Sequence, residues 1–431
     1  MNQLREHNSK LKKIFELLRD NIGSNTIYQT NLDDINVIMR DHISIEELRF
    51  SGVFFTGDEL SSKLIRSAVK KIDDDSIVLD PTCGAGNLLI TASRNFSVCK
   101  GLRDTLTAWG EKLYGFDLYA SFIEAAKLRL ILEAINRGSI VDCSIEEAIS
   151  LLINIRVSNA LHITNSEVKN ITHVIMNPPF CLSTTTRSDC FNKGKVNLSA
   201  IIYSYYLDIL EPETEITSIL PDVLRSGSRY QLWRDYVTSK QDGSVNIIGK
   251  FDKSTDVDVF IISGIIKNCP EKIDWKTEGN HTNDVLGNDC TISVGRVVAY
   301  RDPEIGPEYP YIHPRNVPMW GTVTTFTERR RFKGTVISPP FLVVRRTSSP
   351  GDKNRAVATI ICGNEPVAVE NHLLILQPKI ATIEECKRIF TLLRSETTNS
   401  FLNQRIRCRH LTVGAVKQIP CTRRSDEEST C

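Results

Sequence analysis

No apolar run in this 431-residue sequence approaches the roughly 20 residues that span a bilayer. The opening stretch, MNQLREHNSKLKKIFELLRD, is charged and lacks the apolar segment of a secretory signal, so a cytoplasmic location is expected. The 12 cysteines include no CxxC pair, which argues against a zinc site or a disulfide framework and for free thiols. There is no GxGxxG dinucleotide fingerprint and no glycine loop ending in GK[ST]. Internal repeats and long low-complexity tracts are absent as well. Net charge is only +1, and 41% hydrophobic with 24% charged residues is ordinary for a globular chain with a sizeable core. The length suggests two or three domains.

The small net charge hides a division. Residues 291–431 carry 21 Lys and Arg against 13 Asp and Glu, a balance of +8, and the remainder of the chain stands at −7. An asymmetry of this kind points to a polyanionic partner for the basic part.

Residues 1–22 read as an amphipathic helix, with Leu4, Leu11, Ile14, Phe15, Leu18 and Ile22 recurring at helical spacing and expected to pack on the main domain. From residue 50 to 267 short β-branched runs alternate with helical stretches. Strands are expected at 76–80, 112–118, 172–176, 216–221 and 257–267, and helices at 86–96, 121–136 and 200–210. Repeated βα units imply an α/β fold with a doubly wound, mostly parallel sheet. Residues 1–49 form an N-terminal helical segment in this division. A polar linker follows the sheet domain at 268–290. Next comes a mainly β or α+β domain at 291–420, with runs such as GTVIS, FLVVRR, AVATII and HLLILQP, and then a polar tail at 421–431.

Two strand ends carry candidate binding chemistry. SIVLDPTCGAGNLLI (76–90) is a strand running through a glycine turn into a helix, which lets backbone approach a ligand closely. Asp80 at its end opposes phosphate and favours a cationic or hydroxyl-bearing ligand. Asp117, closing KLYGFDL, can accept two hydrogen bonds from a ribose diol. It lies 31 residues beyond Gly86, more than the usual spacing of about 20.

The third signal is THVIMNPPF (172–180), a strand followed by Asn177, Pro178, Pro179 and Phe180. The prolines remove backbone donors. They leave an edge of acceptors, the Asn177 side-chain oxygen and the Pro178 carbonyl, beside the flat Phe180 ring. Such an edge suits a planar amine. A second match, Ser338-Pro339-Pro340-Phe341, falls in the basic half outside the sheet domain and reads as a turn.

The ordered pieces FFTGDEL (54–60), DPTCGAGNLL (80–89), YGFDL (114–118), SNAL (158–161) and NPPF (177–180) resemble those of S-adenosylmethionine-dependent DNA adenine-N6 methyltransferases. SILPDVL (218–224) and KFDKSTDVDVFIISGIIK (250–267) continue the series. The order resembles the gamma class, which includes type I and type II restriction-modification methylases, and the resemblance covers about residues 50–267. It implies a Rossmann-like methyltransferase sheet followed by a target-recognition domain. It also implies that Thr56, Asp80, Pro81, Cys83, Gly84 and Gly86 line the methionine end of the cofactor. Asp117 would hold the ribose, Leu118 would pack under adenine, and Asn159 with Ala160 would meet the adenine amino group. The family usually has Asp where this chain has Asn159, whose carboxamide oxygen can still accept a bond.

The implied reaction moves a methyl group from S-adenosylmethionine to the N6 amino group of an adenine flipped out of duplex DNA. Asn177, Pro178, Pro179 and Phe180 would form the catalytic loop, and Phe251 would stack on the opposite face of the base; its alternative is a strand-edge core residue. The basic run from 329 to 355 supplies expected DNA contacts in Arg329, Arg330, Arg331, Arg345, Arg346 and Arg355. A cognate restriction endonuclease or specificity subunit is a further expected partner. NPPF also occurs in methyltransferases acting on protein glutamine or on RNA, and a non-catalytic module of the same fold is the remaining alternative.

Overall fold

The computed structural model describes residues 2–20, 56–251, 257–271, 273, 275 and 284–421. The chain divides into two compact units, Met1–Arg225 with Arg229–Trp275, and Ser226–Ser228 with Lys276–Cys431.

The first unit is built on a seven-stranded sheet: β1 (Val78–Asp80), β2 (Leu113–Asp117), β3 (Ile155–Val157), β4 (His173–Met176), β7 (Glu215–Pro221), β8 (Gln241–Lys250) and β9 (Asp258–Ile266). A two-stranded hairpin, β5 (Leu182–Ser183) and β6 (Val196–Asn197), lies outside it. The sheet order is β3-β2-β1-β4-β7-β9-β8. Pairings are parallel from β3 through β7, and β9 runs antiparallel to both its neighbours.

Strand residues alternate between two cores, because successive side chains in a strand point to opposite faces. Val78, Ile175, Ile219 and Ile261 join one core with helices 58–66, 87–93, 102–112 and 120–136. Leu79, Val174, Met176, Leu220, Phe260 and Ile262 join the other with helix 198–209 and Trp233. Burial on both faces explains why these strands read as continuous apolar runs. The doubly wound, mostly parallel sheet is therefore present as the pattern of the sequence implied.

The N-terminal helix, Asn2–Asp20, packs against helix Ala120–Asn136. Leu4, Leu11 and Phe15 are buried, and Asn8 donates to the Ser121 carbonyl at 3.0 Å. This helix belongs to the sheet unit instead of standing apart. Ile22 and the rest of 21–55 lie outside the described residues.

In the seven-stranded sheet, β3 and β8 fall outside the set of strands expected from the sequence, and the longer is β8. Its run, QDGSVNIIGK, is polar because it is the edge strand and only part of each face is covered.

The second unit contains a five-stranded sheet ordered β10 (Cys290–Val294), β17 (Leu373–Pro378), β14 (Phe341–Arg345), β15 (Ala358–Ile361), β12 (Gly321–Val323). A three-stranded sheet joins β13 (Arg329–Arg331), β11 (Glu308–Ile312) and β16 (Ala368–Val369). Helices Ile383–Arg394, Glu396–Arg405 and Val413–Lys417 follow, and their buried residues pack with Leu342, Val344, Ile360, Leu374 and Leu376. The unit is thus α+β. These helices are absent from the sequence expectation although Thr382, Ser395 and Thr412 cap them, each accepting a backbone N–H three residues on.

Two expectations need correction. The segment 284–290 is not linker, because helix Leu286–Asp289 and Cys290 bury Leu286 and Cys290 in this unit's core. GTVIS forms no strand; Ile337 makes a lone bridge to Val367. The Ser338–Phe341 repeat of the proline motif leads into β14, with Phe341 fully buried. Among the described residues no helix is long and apolar enough to cross a membrane.

Candidate active site

Strand β1 has β2 on one side and β4 on the other. The helix after β1 packs in one core and helix 198–209 in the other. A crevice opens where chain connections diverge to opposite faces, at the carboxyl ends of the strands. A cavity of about 250 Å³ lies there. Its wall includes Thr56, Asp80, Pro81, Cys83, Gly84, Asp117, Leu118, Asn159, Ala160, Asn177 and Pro179. Nearly every expected cofactor residue is thus on one surface, drawn from segments more than 100 residues apart in sequence.

The loop after β1 is held by backbone bonds. The Cys83 N–H donates to the Phe116 carbonyl at 2.9 Å, and the Gly84 N–H to Asp117 Oδ2 at 3.2 Å. Gly84 has φ 50° and Gly86 φ 83°, the left-handed region that glycine enters at low cost. Gly86 is not on the cavity wall. A Cβ there would come within 2.9 Å of Ala126 Cβ, so this glycine allows helix 120–136 to pack against the loop.

The cavity's electrostatics are one-sided. Asp80 is 2% exposed, and burial pushes its pKa up to about 8; the Thr82 N–H opposes that shift and the neighbouring Asp117 adds to it. Burial also raises Asp117, against N–H bonds from Tyr119, Gly84 and Leu118. No Lys, Arg or His lines the cavity among the described residues. Two carboxylates without a facing cation favour a cationic ligand.

Asn177 follows β4 and donates from Nδ2 to Thr56 Oγ1 at 3.0 Å. Thr56 is therefore not the cap of helix 58–66; Gly57 holds that position. Pro178 and Phe180 lie off the cavity wall. The Phe180 carbonyl accepts from Asn197 Nδ2 at 2.9 Å, and the Leu198 N–H donates to the Cys181 carbonyl at 2.8 Å. Asn197, which also caps helix 198–209, thus secures the proline loop. Sequence reasoning does not find it, nor does it find Asn87, Tyr119 and Phe122 on the cavity wall. The one available signal for Asn197 is an asparagine just before an apolar helix.

Phe251 does not stand as a second stacking face. Its ring meets that of Phe180 edge-on, with centroids 6.1 Å apart and planes at 89°, and it is buried among core residues. A base stacked between two rings needs them roughly parallel to it. Asn159 lines the cavity, but its Oδ1 already accepts the Leu161 N–H at 3.0 Å, capping a short 3-10 turn that includes Ala160.

In the second unit the arginine run separates into different roles. Arg355 is 1% exposed. Its guanidinium donates to Ser348 Oγ, Asn403 Oδ1 and the Ile406 and Cys408 carbonyls at 2.9–3.0 Å. It is an internal strut and not a DNA contact. Arg330 is likewise buried, paired with Glu304 at 2.8 Å and bonded to the Asp302 carbonyl. Arg345 donates to the Pro314 and Val317 carbonyls, and Arg329 pairs with Glu308 and Glu365. Arg331 is exposed, and Arg346 is half-buried near His410, Arg409 and His372. A motif count could not make this distinction, because consecutive strand residues face opposite ways.

Among known proteins, residues 35–213 match the family model described as N-6 DNA Methylase. No curated protein sequence matches the chain. A structure of the type IIL restriction-modification enzyme MmeI in complex with DNA aligns at TM-score 0.55 and 12% identity, covering 91% of this chain and 70% of that one. The type IIG restriction endonuclease BpuSI aligns at TM-score 0.46 and 13% identity, over 90% of this chain. The M protein of the type I restriction enzyme EcoKI aligns at TM-score 0.36 and 16% identity, over 63%. The chain spans 61% of the length of BpuSI and 56% of that of the EcoKI M protein. The fold shared with the MmeI structure is a doubly wound, mostly parallel sheet with a further sheet-rich unit.

Proposed function

We propose that this chain methylates the N6 amino group of adenine at a specific duplex DNA sequence, with S-adenosylmethionine as donor, as the modification activity of a restriction-modification system. The observation that carries the reading is the meeting of Asn177 with Asp80 and Asp117 on one cavity wall that, among the described residues, bears no cation. The donor fits these residues: Asp117 suits a ribose diol, and the paired carboxylates suit a ligand with cationic centres. Thr56, Asp80, Pro81, Cys83, Gly84, Asp117, Leu118, Asn159 and Ala160 would hold it.

When bound, S-adenosylmethionine supplies a methyl group already activated on a sulfonium. The chain's own work is positioning and electrostatics. Asn177 Oδ1 and the Pro178 carbonyl accept from the target amino group and turn its lone pair toward the donor. The nitrogen gains the methyl group, and the C–S electron pair stays on sulfur. The amine's surplus proton leaves to water, since neither acceptor is a strong base. Phe180 stacks on the base from one side. In the second unit, Arg331, Arg346 and Arg409 are the candidate phosphate contacts. A restriction endonuclease or specificity subunit would complete the system.

The test is tritiated methyl transfer to unmethylated duplex DNA, with N6-methyladenine identified in the product. Asn177→Ala should lower the rate by about 10²–10³-fold with cofactor affinity little changed. Transfer to RNA or protein in place of DNA would overturn the reading.

A further inference from the structure

We propose that Arg129 is a positioning residue for methyl transfer, setting the orientation of Asn177 through Asn87 and Thr56. The proposal rests on the functional reading above and names a part of the machinery outside the cavity wall. Arg129 sits on helix 120–136, is 2% exposed, and does not line the cavity. Its Nη1 donates to Asn87 Oδ1 at 2.6 Å and to the Ala85 carbonyl at 2.7 Å. Both acceptors belong to the segment that follows β1.

From there the chain of bonds continues. Asn87 Nδ2 donates to the Thr56 carbonyl at 2.7 Å, and Thr56 Oγ1 accepts from Asn177 Nδ2 at 3.0 Å. Asn87 and Thr56 are both buried. Four segments of the chain are thereby joined in sequence: helix 120–136, helix 87–93, Thr56 ahead of the Gly57 cap of helix 58–66, and the loop after β4.

The direction of the first two bonds follows from the guanidinium, and the placement of the Thr56 hydroxyl follows from its pinned main chain. A guanidinium only donates and does not lose its proton. It therefore requires the oxygen of Asn87, which leaves the Asn87 amino group facing Thr56. The Thr56 main chain is pinned in turn, and its hydroxyl is delivered to the amino end of the Asn177 amide. With that end engaged, the carboxamide oxygen is directed away from Thr56, as an acceptor for the target amine must be. A wrongly turned Asn87 would place an NH₂ group against the guanidinium. Buried polar networks reward full satisfaction and penalise such an error strongly. Asn87 and Thr56 also line the cavity, so one framework serves the donor site and the amine-accepting loop together.

The full-length chain, with isotope-labelled asparagine side-chain amides, is compared as wild type, Arg129→Met, Arg129→Lys and Thr56→Val. The Asn177 signal is assigned by its loss in Asn177→Ser. Arg129→Met should shift or broaden the Asn177 amide resonances. It should also lower kcat at saturating cofactor and DNA by about tenfold, the equivalent of one hydrogen bond. Arg129→Lys should recover part of both effects. A merely structural arginine would lower thermal stability and active fraction while leaving kcat per active site and the Asn177 signal as in wild type, and that result overturns the proposal. Thr56→Val removes the last link with little change of shape. It should move the Asn177 signal even if Arg129→Met does not fold, and an unmoved signal there also overturns the proposal. The resonance measurement needs no substrate. A wild-type chain that methylates no DNA would sink the functional reading, whereas unmoved Asn177 resonances sink the relay.

Discussion

In the first unit, Asp80 and Asp117 end two adjacent strands and face a cavity, with backbone N–H groups as their hydrogen-bond donors and, among the described residues, no cation on the wall. In the second unit, Arg355 is buried as deeply as Asp80, yet two main-chain carbonyls and two side-chain oxygens surround its guanidinium. Both arrangements bury charge, and they differ in how it is answered. A charge matched from all sides by the protein holds the fold together. A carboxyl at a cavity, with few N–H donors, has its proton affinity raised by burial and awaits a ligand. Exposure alone does not separate the two cases; the partner atoms do.

The comparison can be broken most sharply at Arg355. Arg355→Gln should destabilise the second unit by about 3 kcal/mol, because buried carbonyls lose their donors. Hydrogen exchange should show faster opening of β14 and β15 in this variant, with the first sheet unaffected. Equal protection in both units would remove Arg355 from the scaffold.

Asp117 gives the opposite result if it answers a ligand. Asp117→Ala should weaken S-adenosylmethionine binding by roughly 1.5–3 kcal/mol per charge-assisted bond, as measured by calorimetry, with little loss of folded stability. Its neighbour sets a pH dependence. Asp80 is raised from 3.8 to about 8 by burial, so between those values the folded chain keeps a proton that the unfolded chain has lost. Ligand-free stability therefore falls as pH rises through that window. A cationic ligand prefers the ionised carboxylate, so its affinity should climb as pH rises toward 8 and level off above. A flat affinity profile from pH 6 to 9 would show that Asp80 does not face the cationic part of the ligand.

The smallest effect concerns the candidate phosphate contacts. Replacing Arg331, Arg346 and Arg409 with Gln should flatten the salt dependence of DNA binding, by about 0.9 in log–log slope for each phosphate no longer neutralised. Arg330→Gln should leave that slope alone, because Arg330 is engaged with Glu304 and the Asp302 carbonyl. An unchanged slope in the triple variant would assign DNA binding to other residues.

Much of the first unit is readable from its sequence because the signals are local. A buried parallel strand must be apolar on both faces, a tight turn needs glycine, and a proline pair after a strand exposes acceptors. Those constraints locate Asp80, Asp117 and Asn177 one by one. The second unit is harder. Its arginines form a cluster in sequence, but strand alternation and long-range partners divide them between interior and surface. Phe251 fails for a related reason: a ring near a motif in sequence says nothing of the angle at which it meets Phe180.

Most of the first unit's alternation of strand and helix, the glycine loop and the proline motif after β4 were determined by the sequence itself, since each follows from residue type and spacing within a few positions. Only the tertiary structure decided that Thr56, Asn87 and Arg129 stand behind Asn177, and that Arg355 is a strut. Hydrogen-bond direction and burial depend on groups that lie dozens of residues away, which no local pattern encodes.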